Sequence, residues 1–174
     1  RRSFIKKTSI GAVGTILTSK VSSANFNKKN KNSMSGTPIV ISTWKHGFSA
    51  NEKAYELIKN DSTSIDAVEA GVMITEADPE CTSVGFGGWP DRDGNVTLDA
   101  CIMDSTGNYG AVLAVKNIKH VISVTRKVME ETPHVLMAGQ GAEQFAIAQG
   151  FERTNLLTDA SKKAWQEWKR TSEY

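Results

Sequence analysis

Ser83-Val84-Gly85-Phe86-Gly87-Gly88-Trp89-Pro90-Asp91-Arg92-Asp93-Gly94 runs through Asn95 into Val96-Thr97-Leu98-Asp99-Ala100-Cys101-Ile102-Met103-Asp104. Glycines at 85, 87 and 88 let the backbone come close to whatever lies beside it. Pro90-Asp91 and Asp93-Gly94 are turn dipeptides, and the mostly apolar run after them has the composition of a strand. The glycines alone do not make a dinucleotide site, because no helix follows with G-x-G-x-x-G spacing. Asp91 and Asp93 read as turn formers, since neither the paired-acid pattern of glycosidases nor the EF-hand pattern is completed around them. Asp99, between Leu98 and Ala100, reads as structural and needs a partner if buried.

On either side of this stretch the chain alternates irregularly between strand and helix signals. Pro38 to Trp44 is a β-branched run after a Gly-Thr-Pro breaker, which predicts a strand buried on both faces. A helix follows from Ser49 to about Asn60. A second, capped by Thr63 or Ser64, turns Ile65, Val68, Gly71 or Val72, and Thr75 to one face and closes at Asp78-Pro79. Thr97–Met103 and Tyr109–Val115 predict a hairpin across residues 104–108. A helix over 121–131, a short apolar run at 135–138, a helix opened by Gly139 and ended by Gly150, and a last helix over 158–170 complete the order. Trp165 and Trp168 share a face of that last helix and read as packing anchors. The pattern favours a layered α/β (α+β) fold with antiparallel pairing over a doubly wound nucleotide-binding sheet.

The 174 residues suit one domain with a sizeable core. The formal net charge of +2 hides an asymmetry: residues 1–33 carry eight Lys or Arg and no acid, leaving thirteen basic against nineteen acidic residues in the rest. An acidic body of this kind lacks the clustered cations that a nucleic-acid surface requires. Arg1-Arg2-Ser3-Phe4-Ile5-Lys6-Lys7, with the weakly apolar stretch to Thr18 and Val21-Ser22-Ser23-Ala24, resembles a twin-arginine export signal over residues 1–24. The bland alternative is a basic amphipathic N-terminus. Residues 25–36 read as a polar linker, and the reading implies a periplasmic or secreted protein. No stretch approaches the ~18 apolar residues of a membrane span. Cys81 and Cys101 read as free thiols, Cys101 as a buried one on its strand. His46, His120 and His134 have no metal-ligand spacing, so neither a metal nor a cofactor is expected.

The Gly-Gly-x-Pro-Asp turn at 87–91 and the Thr97-Leu98-Asp99-Ala100 strand, with Ser42-Thr43-Trp44 upstream, resemble the glycosylasparaginase and plant-type asparaginase family of N-terminal-nucleophile hydrolases. The resemblance runs from Pro38 to Tyr174. It implies that residues 37–174 are the α-subunit part of a four-layer αββα sandwich, incomplete here because the β subunit is absent. Such enzymes attack an amide with an N-terminal threonine whose own α-amine is the base, a terminus made by self-cleavage before that threonine. The cleavable motif is not found in this sequence. Gly14-Thr15-Ile16 and Gly36-Thr37-Pro38 are poor matches, so the resemblance implies a nucleophile beyond Tyr174, no catalytic residue in this chain, and no activity for the chain alone.

Two residues match pocket positions of the family. Trp44, which by residue pattern alone is a core tryptophan at a strand end, becomes by the resemblance a pocket wall against sugar or aliphatic substrate. Ser83 matches a serine beside the nucleophile, where it holds the attacking group; a serine that caps or fills a turn is an equal reading. His46 departs from the aromatic residue frequent in the family. The implied partners are a β subunit from the same precursor, a dimer of α/β pairs and asparagine-linked N-acetylglucosamine as substrate. The alternatives are an L-asparaginase or β-aspartyl peptidase on the same fold, and a non-catalytic periplasmic binding protein.

Overall fold

A computed structural model describes residues 36–173. The export-signal reading of 1–24 and the linker reading up to residue 35 fall outside them. Helices α1 (Gly47–Lys59) and α2 (Ser64–Ala77) form a hairpin. Thr63 caps α2, its hydroxyl oxygen accepting the Asp66 N–H at 3.2 Å, and Asp78 before Pro79 leaves the helix in extended backbone. The buried face of α2 is Ala67, Gly71 and Thr75, while Val68 stays 45% exposed. Gly71 and Thr75 of the expected stripe face inward, but Ala67 rather than Val68 does so in the turn before, because α1 lies so close: a Cβ on Gly71 would stand 2.6 Å from the Ala50 carbonyl oxygen.

Strands β1 (Leu98–Met103) and β2 (Tyr109–Val115) pair antiparallel, and after helix α3 (Val121–Glu131) the short strand β3 (Leu136–Ala138) joins β2 in parallel. The sheet order is β1-β2-β3. Asp104 closes the hairpin by accepting the N–H groups of Thr106 and Asn108 at 2.8 and 3.0 Å. The register slips between Leu98 and Ala100, and Ala114 takes φ +52° at that irregularity. Asp99 is exposed and its carboxylate accepts the Ala114 N–H at 2.6 Å, so its structural role is to hold the bulge.

One face of the sheet carries the core. Leu98, Val112 and Val115 meet Val121, Val124 and Val128 of α3, and Ala142 and Ala146 of helix α4 (Gly139–Ala148). Gly150, at φ +89°, ends α4 with its N–H on the Ile147 carbonyl and Phe151 bonded back to Ala146. The other face holds Met103, Tyr109, Leu113 and Leu136, all between 41 and 67% exposed. Cys101, in register with Ala111 on that same face, is exposed, which corrects the buried reading; the buried thiol is Cys81, and the two are unbonded. No helix among the described residues is long and apolar enough to cross a membrane.

Residues 38–44 are not a strand. Ile39 and Ile41 are 79 and 83% exposed and the segment has no ladder partner among the described residues. β-branched composition favours extended backbone, but a strand exists only when a neighbour accepts its hydrogen bonds. Helix α5 (Asp159–Thr171) lies on the turn at 87–94. Ser161 donates to the Gly87 carbonyl, and the Trp165 indole N–H donates to the Arg92 carbonyl at 3.1 Å.

Candidate functional site

The glycine run approaches the protein's own backbone rather than a ligand. Gly85, at φ +68°, passes so near the end of α2 that a Cβ there would stand 2.2 Å from the Glu76 carbonyl oxygen. Gly87, at φ +91°, is held the same way against Pro79. This close passage folds the turn back under α2 and brings Ser83 to the mouth of a cavity of about 490 Å³. The start of α1, the ends of α2 and of the segment before α1, strand β1 and the first turn of α3 supply its walls.

Trp44 and Ser83, remote in sequence, line this one cavity. Trp44 is 71% exposed, so it is no core residue. Its indole lies parallel to the His46 imidazole, 9° between planes and 6.0 Å between centroids, and the pair forms a flat platform at the rim. Ser83 is exposed, with only the distant contact of 3.8 Å to the Cys81 sulfur. Thr97 and Asp99 reach the cavity from β1.

Glu76 and His120 are the residues that sequence reasoning missed. Glu76 is 4% exposed in the cavity wall, with its carboxylate accepting the Ile122 N–H at 2.9 Å and meeting His120 Nδ1 at 3.2 Å. Burial pushes its pKa above the usual carboxylate range, and the bonds from His120 and Ile122 offset part of that rise. The available signal was a carboxylate next to the small-residue stripe of α2, since a buried Glu demands a partner. Its partner lies 44 residues on, beyond any local pattern.

A second hollow of about 540 Å³ lies among Trp89, Trp165 and Trp168 beside α5. Its one carboxylate, Asp91, is engaged by the Asp93 and Asn95 N–H groups at 2.9 and 2.8 Å, as a turn former is. The first cavity is the better candidate because hydroxyls, a carboxylate, an imidazole and an indole converge there. No group of three metal-ligating side chains occurs among the described residues.

A family model described as asparaginase matches residues 26–174. The chain is 48% identical over its whole length to the N(4)-(Beta-N-acetylglucosaminyl)-L-asparaginase of Elizabethkingia miricola, spanning 51% of that protein. It is 40% identical over 132 residues to the rat protein of the same name and 39% to the mouse one, covering 75% of this chain and 38% of each relative. The chain thus spans about half, or less, of the length of the curated relatives it matches. With the model match over most of the sequence and close identity across all of it, this chain belongs to the asparaginase family.

Proposed function

We propose that this chain is the α portion of an amidohydrolase that splits the bond between the asparagine side chain and N-acetylglucosamine. The nucleophile is a threonine in the part of the relatives' length that this chain does not span, exposed by self-cleavage of a longer precursor. Its hydroxyl attacks the side-chain carbonyl carbon while its α-amine takes the hydroxyl proton and delivers it to the departing sugar amine. The ester left behind is released by water as aspartate.

The observation that carries this reading is the cavity's position against a free strand edge. β1 pairs with β2 on one side, and among the described residues nothing pairs with its other edge. Residues 98–101 of β1 line the cavity together with Ser83, Trp44 and His46, so a strand added along that edge would border the same cavity. A terminal threonine there would have a hydroxyl neighbour to orient it and an indole face for the sugar ring. The exposed apolar face of the sheet supports the four-layer sandwich, with the β portion of the same precursor supplying the second sheet and pairs assembling as a dimer. The residues of 1–24 support twin-arginine export to the periplasm or beyond.

The test is an intact-mass spectrum of protein expressed from a reading frame that extends past Tyr174, followed by assay. Two chains are expected, the second starting with threonine, with higher kcat/KM on N-acetylglucosaminyl-asparagine than on free asparagine or β-aspartyl dipeptides. Cleavage with the reverse order would assign the asparaginase or peptidase activity instead. A single uncleaved, inactive chain would leave a binding protein.

A further inference from the structure

Helix α3 begins at Val121 with His120 at its N-cap, and that cap makes no side-chain bond to the helix. The orphan N–H of Ile122 is instead satisfied from α2, by Glu76 Oε1 at 2.9 Å. A carboxylate there also meets the positive end of the α3 dipole. Its other oxygen meets His120 Nδ1 at 3.2 Å. The same residue's main-chain carbonyl accepts the Phe86 N–H at 2.8 Å, inside the glycine turn that carries Ser83. Next to it, Thr75 reaches the His46 carbonyl across a long 3.5 Å contact. The end of α2 therefore ties together the start of α3 and the Ser83 turn, and touches the start of α1. All of these border the cavity.

We infer that Glu76 is a positioning residue for the candidate site: its carboxylate caps α3 and grips His120 while its main-chain carbonyl holds the Phe86 N–H, so that it fixes where the Ser83 turn stands against α3. This rests on the proposed hydrolase reading for its effect on turnover, but not for the clamp itself. An apolar side chain at position 76 alone would leave the Ile122 N–H and His120 Nδ1 without the partner they have here. Glu76 stands at the joint of three elements, in the wall of the cavity. Glu69, a further carboxylate on α2, is paired with Arg126 of α3 at 2.6 Å, so the side chain that faces the Glu76 carboxylate is His120.

The clamp is tested in the full-length protein by hydrogen exchange. Glu76→Gln keeps an acceptor for Ile122 and nearly the same shape but removes the charge opposite His120. Exchange at 83–88 and 121–124 is expected to quicken about tenfold, with the β1–β2 hairpin unchanged. Uniform acceleration, or none, would overturn the clamp. In the same protein, kcat is expected to fall about tenfold with KM within about twofold, because a misplaced attacking group costs rate rather than binding. His120→Asn, which offers a donor where Nδ1 stands, is expected to retain kcat, and His120→Leu to lose it as Glu76→Gln does. Equal kcat in all three variants and wild type would overturn the positioning role. A wild-type protein inactive on every amide tested, yet showing the localised exchange change, would sink the hydrolase reading and leave the clamp standing.

Discussion

Asp104 accepts from the Asn108 side-chain amide at 2.9 Å and from the Thr106 hydroxyl at 2.7 Å, besides their two backbone N–H groups. These bonds favour the charged form and hold its pKa at about 2, against an ordinary 3.8. The folded carboxylate thus binds fewer protons than the unfolded one. Its contribution to stability is complete above pH 3.8 and disappears as pH falls towards 2. Denaturant midpoints of wild type and Asp104→Ala should accordingly differ at pH 5 and converge by about pH 2. A gap of constant size would show that the turn, not the charge, carries the effect. At this scale much was legible: Asp91 and Asp104 bond their own turns as Asx residues do, and Asp99 found a structural partner. Glu76 was not legible, because what buries it comes from α3 and the glycine turn. That Trp44 and Ser83 line one cavity was to be expected only from the family resemblance. Composition alone made Trp44 a core residue, and the structure exposes it.

Elements followed the sequence where they are locally determined. Thr63 and Thr158 cap α2 and α5, Gly150 ends α4, and the hairpin has the residues its turn needs. The segment 38–44 failed because a ladder is a property of two strands, and the edge of β1 stands across the cavity from it. Helix α5 tests the packing-anchor reading of its tryptophans. Trp165 is half-buried, its indole bonded to Arg92 and its ring within 2.9 Å of where a Cβ on Gly94 would be; Trp168 remains 43% exposed. Trp165→Ala should therefore loosen α5 at a cost of about 2–3 kcal/mol, below the range of a fully buried tryptophan. Trp168→Ala should cost less than about 1 kcal/mol. Chemical denaturation measures both. Limited proteolysis adds a local readout, with cleavage at Lys162, Lys163 or Lys169 appearing first in the Trp165 variant. Equal losses from both substitutions would make the two tryptophans a single platform rather than one anchor and a neighbour.

At the scale of the whole molecule, the decisive feature is a sheet that, among the described residues, is packed on one side only. α3 and α4 cover Leu98, Val112 and Val115, while Met103, Tyr109, Leu113 and Leu136 stand in register on the opposite face. Four large apolar side chains on adjacent strands form a contiguous patch, and such patches mark surfaces meant to be covered. If a second sheet from the rest of the precursor covers this one, the 174-residue chain alone should bind a hydrophobic dye and self-associate, and the complete protein should do neither. Leu113→Lys separates this from general instability. Leu113 projects from the central strand of the sheet, away from the core, so the charge is tolerated when the face is open and costs several kcal/mol when it is buried unpaired. The substitution should make the short chain more soluble while destabilising the complete protein. The opposite pattern, a neutral effect in the complete protein, would mean that this face is left to solvent or to a partner that accepts a lysine.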